Sequence, residues 1–296
     1  MRQPLRLAIL TAVLLTGLTM ATACASAAPE PPEPPPVATG AGPGPGLGHV
    51  HAVDLNPADG LIYVAAHEGL YRVGAAGGLE RVGAPGRDLM GFTIAAPDTF
   101  LSSGHPGPTE NAPDPLGLVR STDAGATWQP VSLAGEVDFH ALQVSSGTLY
   151  GLDAGRRMLR VSSDGGTTWQ SRATVAALDL AVDPTDPAIV LATTADGVVA
   201  SRDGGASFGA PSSPLLAFLS WSPDATLYGL APDGALHTSF DAGATWQRVG
   251  VVPGGRPQAV TGLADGRVLA ATAGGLFDSR HGGHTFVPLG RPTQGS

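Results

Sequence analysis

The segment STDAGATW at Ser121–Trp128 returns as SSDGGTTW at Ser162–Trp169, SRDGGASF at Ser201–Phe208 and SFDAGATW at Ser239–Trp246, with a degenerate fifth copy, SRHGGHTF, at Ser279–Phe286. The copies begin 41, 39, 38 and 40 residues apart. That period is the length of four short antiparallel strands with their turns, one blade of a propeller. In the last repeat PQAVTGL, RVLAAT, GLFDSR and TFVPLG read as strands a to d, and the repeated block is the c–d turn. The same order opens the repeats in HVHAVDL, LIYVAA, GLYRV and LERVG, where the turn has decayed to VGAAGG. The expected fold is therefore all-β, a six-bladed β-propeller with limits near 49–84, 87–132, 137–172, 175–210, 215–250 and 256–290. A seventh sheet stays open, and so does the mode of ring closure.

These turns resemble the Asp-box, or BNR, repeat. Asp123, Asp164, Asp203 and Asp241 recur at one position and read as framework, accepting backbone N–H groups inside the turn. The glycine two residues on permits positive φ, and the closing Trp or Phe packs between sheets. Calcium at these turns would need more oxygens than one aspartate supplies. Tyr63, Tyr150 and Tyr228 share one strand-b position and read as core.

The N-terminus reads differently. Arg2 and Arg6 precede an uncharged run from Leu7 to Leu18, too short for a membrane span, so residues 1–23 read as a signal peptide. Cys24, the only cysteine, follows Ala21-Thr22-Ala23 in the manner of a bacterial lipobox, and lipidation there would make the protein a membrane-anchored lipoprotein. Cleavage after Ala25-Ser26-Ala27, giving a secreted protein, is the other reading. Residues 24–48 then form a Pro/Gly-rich tether, 49–290 the propeller and 291–296 a tail. Loss of the leader leaves 14 arginines against 25 acidic residues, a balance of −11 that argues against nucleic acid as a partner. A single cysteine allows no internal disulfide. A monomer is expected.

Up-and-down strands place every c–d turn on one rim and the d–a and b–c loops on the other. His49, His51, His67, His105 and His140 all fall on the loop rim and depart from the repeat; His51, for example, aligns with Gly91 and Leu178. Glu68, Asp88, Asp138 and Asp153 accompany them. Imidazoles with one or two carboxylates suit Zn²⁺, Cu²⁺ or Fe²⁺. A hydrogen-bonded polar pocket for a small ligand, without metal, is the alternative. The expectation is that these histidines converge near the propeller axis. His237, His281 and His284 belong to strand c or to the opposite rim.

The segments HVHAVDLNPADGLIYVAAHEGLYR, DLMGFTIA, LSSGHPGP, DPLGL and DFHAL resemble a family of bacterial Asp-box propeller lipoproteins commonly labelled glycosyl hydrolases or exo-α-sialidases. The resemblance implies an extracytoplasmic propeller. A sialidase would use three arginines on a carboxylate, a tyrosine nucleophile and an acid. Arg87, Arg156, Arg157 and Arg256 fall on the loop rim, but no tyrosine does, and the Arg-Ile-Pro signature is missing. Asp88 and Asp138 remain as candidate catalytic carboxylates of another glycosidase. The reading carried forward is a cell-envelope module that binds a ligand, metal, glycan or partner protein through its His-rich rim, with a glycoside hydrolase as the alternative.

Overall fold

The computed structural model describes residues 47–75 and 77–289; the leader, Cys24, most of the tether and the tail lie outside them. Strands alternate because the chain does: runs of three to nine residues rich in β-branched and aliphatic side chains, punctuated by Gly, Pro, Asp and Asn. Blade 1 comprises β1 (Val50–Leu55), β2 (Ile62–Ala66), β3 (Gly69–Val73) and β4 (Leu79–Val82). Blade 2 holds β5 (Asp88–Ala96), β6 (Thr99–His105), β7 (Leu118–Ser121) and β8 (Gln129–Ser132). Blade 3 holds β9 (Phe139–Ser145), β10 (Thr148–Asp153), β11 (Met158–Ser162) and β12 (Gln170–Thr174). Blade 4 holds β13 (Ala177–Val182), β14 (Val190–Thr194) and β15 (Gly197–Ser201). Blade 5 holds β16 (Phe218–Trp221), β17 (Leu227–Leu230), β18 (Ala235–Ser239) and β19 (Gln247–Val251). Blade 6 holds β20 (Pro257–Gly262), β21 (Val268–Thr272), β22 (Gly275–Ser279) and β23 (Val287–Leu289). Each sheet is an antiparallel meander in chain order, and together they make a six-bladed β-propeller.

Blade 4 departs from the expected four strands. Its outer strand shrinks to a single bridge, Val198 with Ser212, in the stretch Gly209-Ala210-Pro211-Ser212-Ser213-Pro214. Two prolines lack the N–H a ladder needs, so the pairing cannot extend beyond that point.

Inner strands β1, β5, β9, β13, β16 and β20 pack each against the next, and β20 returns to β1. Six apolar clusters fill the six gaps between neighbouring blades. Closure uses no exchanged strand among the described residues. Val50, Val53 and Val64 of blade 1 pack with Ala259, Leu269 and Leu276 of blade 6. The Val50 N–H donates to Gln258 Oε1 at 3.2 Å, and the Thr261 hydroxyl donates to the Val53 carbonyl. Leu47, at the end of the expected tether, is 2% exposed and belongs to this closing cluster. Tyr63, Tyr150 and Tyr228 are core residues, each at most 2% exposed.

The repeated turns show why their sequence recurs. In the third blade Ser162 Oγ accepts the Gly166 N–H at 2.8 Å and donates to Asp164 Oδ1 at 2.7 Å. Asp164 in turn accepts the N–H of Thr168 at 2.9 Å and its hydroxyl at 2.6 Å. The same bonds recur at Ser121/Asp123, Ser201/Asp203 and Ser239/Asp241. Gly166 has φ +88°, and a Cβ there would lie 2.1 Å from Leu118 Cδ2 of the preceding blade. The turn is thus wedged against its neighbour, and only glycine fits. Within it the buried member is the serine, 2% exposed at Ser162, whereas the aspartate is solvent-exposed.

This burial ranks the two substitutions. Ser162→Ala leaves the buried Gly166 N–H without an acceptor and should cost about 1–3 kcal/mol of unfolding free energy by chemical denaturation. Asp164→Ala should cost less, since water can replace its contribution. Equal losses would mean that the exposed carboxylate, not the hydroxyl, holds the turn.

Candidate functional site on the loop rim

The starts of the inner strands and the ends of the second strands share the rim opposite the repeated turns. His49 and His51 open β1, His67 follows β2, Asp88 opens β5, His105 closes β6, and Asp138 and His140 flank the start of β9. Asp88 and His105 are direct cross-strand partners. Gly104, beside them with φ +131°, lets β6 press onto β5: a Cβ there would lie 2.0 Å from the Asp88 carbonyl.

The histidines gather in two groups rather than at one point. Asp88 sits between His51, with Nε2 at 3.0 Å from Oδ1, and His67, with Nδ1 at 2.8 Å from Oδ2. Asp138 sits between His140, with Nε2 at 2.7 Å, and His105, with Nε2 at 3.6 Å. His49 meets the edge of His51, ring centroids 4.9 Å apart. His51 is the buried member, its side chain 11% exposed, against 60% for His67.

Burial alone would push the Asp88 carboxyl up, yet the two imidazoles close against it, His51 and His67, outweigh it and hold Asp88 below the usual carboxylate range. His105 is raised, first by its hydrogen bond to Asp114 and then, against burial, by Asp138 and Asp88. His49 is lowered by burial and by the neighbouring His51 and Arg256.

Asp114 went unread in the sequence although its Oδ1 lies 2.6 Å from His105 Nδ1. It is carried by the insertion between β6 and β7, which Arg87 pins by a two-pronged ion pair with Glu110; its Nε bond measures 3.1 Å. The signal available was the insertion itself, the longest b–c loop of the chain and the bearer of two acids. Asp153 and Glu68 take other roles. Asp153 is 1% exposed and accepts from Arg160 Nε at 2.9 Å and from the Arg156 N–H at 3.1 Å. Glu68 engages Arg81 through its backbone carbonyl.

A cavity of about 890 Å³ runs inside the ring and is lined by all six inner strands. His49, His51, His140 and Arg256 stand at its loop-rim end, while His67 and His105 lie outside its lining. A second pocket of about 630 Å³ lies beside it, sharing His140 and the exposed Leu178 with the cavity lining and adding the exposed Leu215. Among the described residues no tyrosine lines the cavity or the pocket beside it: Tyr63 donates to Asp59 and Tyr150 to the Pro187 carbonyl, both on the side of the repeated turns.

No family model matches the chain, and no curated protein matches it in sequence. Solved structures match in fold. The GH74 xyloglucanase from Xanthomonas campestris aligns over 85% of this chain and 46% of its own, at 20% identity and TM-score 0.53. A gluconolactonase from Xanthomonas campestris aligns over 79% of this chain and 86% of its own, at 14% identity and TM-score 0.62. A catalytically inactive virginiamycin B lyase from Staphylococcus aureus aligns over 86% of this chain and 88% of its own, at 9% identity and TM-score 0.57. This chain thus spans under half the length of the GH74 chain. At these identities the shared feature is the propeller, which hosts unlike chemistries on one frame.

Two cavity carboxylates have a different electrostatic state from the rim. Burial raises Asp54 to about 6 and Asp179 to about 7, partly offset by backbone donors, with the Leu219 N–H at 2.9 Å from Asp179 Oδ2. A folded-state value above the ordinary 3.8 means that the folded protein holds the proton more tightly than the unfolded chain. The resulting stability is full below about pH 4 and is lost as pH rises through about 7. Denaturation midpoints should therefore fall across that window, and Asp179→Asn, which keeps the acceptor for Leu219, should flatten the fall. An unchanged profile in the variant would remove Asp179 as its source. The repeated-turn aspartates act with the opposite sign and in a lower window, since hydrogen bonds from Thr168 and Ser207 hold Asp164 and Asp203 at about 2.

Proposed function

We propose that this protein is an exported, lipid-anchored member of the Asp-box propeller lipoproteins that serves as a binding module of the cell envelope, taking its ligand at the His- and Asp-bearing rim over the cavity mouth. One observation carries the reading. Two carboxylates are each held between two imidazoles on blades 1 to 3, at positions that the repeat fills otherwise in blades 4 to 6. Residues that break a repeat without serving its packing are the ones a ligand would select. Arg256 and the exposed Leu178 on the cavity lining, with the exposed Leu215 in the adjoining pocket, favour an anionic or polar ligand with an apolar portion, such as an envelope glycan or a segment of a partner protein.

The competing reading is a glycoside hydrolase. It draws on the GH74 fold likeness and on Asp88 and Asp138 as a carboxylate pair. Against it, both carboxylates are committed to imidazoles, and no tyrosine lines the cavity to supply a sialidase nucleophile.

Two measurements test the proposal. Cys24→Ser should move the protein from the membrane to the soluble fraction; retention in the membrane would remove the lipid anchor from the reading. In a thermal-shift screen of envelope oligosaccharides and small anions, a stabilising ligand should lose its effect in His140→Ala and Arg256→Ala but keep it in Asp164→Ala. Turnover of chromogenic glycosides or xyloglucan oligosaccharides that vanishes in Asp88→Asn or Asp138→Asn would replace the binding module with the hydrolase.

A further inference from the structure

We infer that His51, His67 and Asp88 form a site for a divalent transition metal of the zinc class. The inference rests on the loop rim being the binding face and assigns one chemistry to one of its two groups.

Geometry carries it. Among the described residues these are the one trio of histidine, cysteine and acidic side chains whose donor atoms all lie within 4.8 Å of one another. Tetrahedral coordination at 2.0–2.2 Å places ligand atoms roughly 3.4 Å apart. His51 Nε2 lies 3.0 Å from Asp88 Oδ1 and His67 Nδ1 lies 2.8 Å from Oδ2, so side-chain rotations within a trio already inside 4.8 Å bring both nitrogens and a carboxylate oxygen to that spacing. Two nitrogens and a carboxylate oxygen form a borderline donor set, suited to Zn²⁺ rather than to the all-oxygen cages of Ca²⁺ or Mg²⁺.

A second observation is independent of the spacing. His51 Nε2 and Asp88 Oδ1 are both shielded from solvent and have no hydrogen-bond partner, although they lie only 3.0 Å apart. They are close but not aligned as donor and acceptor. Asp88 is 9% exposed. A buried, misaligned pair is costly as a hydrogen bond and is what two ligands of one ion look like when the ion is not between them. The elements that hold the trio are ordered independently of any metal: β1 and β5 are neighbouring inner strands, and the His67 N–H donates to the His49 carbonyl at 2.9 Å. Three protein ligands leave a coordination position for water or for an anionic group of the ligand that the rim binds. The second group differs, because the donor atoms of His105, Asp138 and His140 do not all come within 4.8 Å of one another, and His105 is tied to Asp114.

The test uses the full-length Cys24→Ser chain, without affinity tag, so that neither the only thiol nor foreign histidines compete. Zn²⁺ should bind at a single site by calorimetry, and Co²⁺ should give visible ligand-field bands that Zn²⁺ displaces. His51→Ala, His67→Ala and Asp88→Asn should each weaken Zn²⁺ binding by about 100-fold or more, since even the outer partners of metal ligands are worth roughly 10–100-fold. Should the two buried variants fail to fold, the exposed His67→Ala decides the matter alone. His105→Ala and His281→Ala should leave affinity unchanged. The inference is overturned if Zn²⁺ does not bind, or if binding survives His67→Ala. In those cases a screening ligand that still depends on His140 and Arg256 keeps the rim as the binding face, whereas loss of that dependence removes both.

Discussion

The bond from the Gly166 N–H to the buried Ser162 hydroxyl, with its equivalents in the other turns, is the small interaction on which the ring is built. It shapes a turn whose glycine can lie against a leucine of the preceding blade, Leu118 in this case. Blades 2 to 6 are each keyed in this way to the preceding blade, beside the apolar cluster between them. The aspartate extends the lock to the far side of the turn from an exposed position. Its recurrence therefore reports turn geometry, while the serine and glycine report packing. Even the degenerate copy keeps the hydroxyl to glycine bond, Ser279 to Gly283 at 3.0 Å, after His281 has replaced the aspartate.

That hierarchy explains what the sequence could disclose. A period of about forty residues and a repeated turn determine blade number and strand order, and through antiparallel alternation they determine which rim a residue occupies. The five rim histidines, Asp88 and Asp138 were placed by this logic alone. Their pairing was not legible, because which imidazole meets which carboxylate depends on side-chain direction and on how far β6 leans onto β5 at Gly104. Asp114 was hidden for another reason: the insertion has no counterpart in other blades, so the repeat offers no coordinate for it. Asp153 stood at the right strand end, but Arg156 and Arg160 engage it from positions that carry no repeat signal. The reduced edge of blade 4 was foreseeable from Pro211 and Pro214, since a missing N–H ends a ladder regardless of context.

Three physical classes stand out among the aspartates of this chain. Turn aspartates are exposed and stabilised as anions by hydroxyl and backbone donors. Asp54 and Asp179 face the cavity and favour the neutral acid. Asp88 is buried enough to resist ionisation but ionised because two imidazoles surround it. Only the last class gains its state from residues that the repeat does not supply. A net charge of −9 for the full chain conceals this division, because the three classes respond to pH in different windows and in opposite directions.

The separation of framework from rim has a mechanical consequence. Packing between blades comes from clusters buried between sheets, and ring closure comes from Val50, Val53 and their partners on blade 6, all of which lie below the mouth. The exposed imidazoles of His67, His105 and His140 contribute little to those clusters, so their replacement costs the fold little. His51 and Asp88 are the exception, because they reach from the rim into the wall between blades 1 and 2, where a buried polar pair is a burden unless something satisfies it. A framework free to place an aliphatic residue there, as it does with Leu178 in blade 4, instead keeps the pair. The burden of this pair therefore falls where the rim meets the wall between two blades, and a ligand bound there would act on the contact between those blades as well as on the surface.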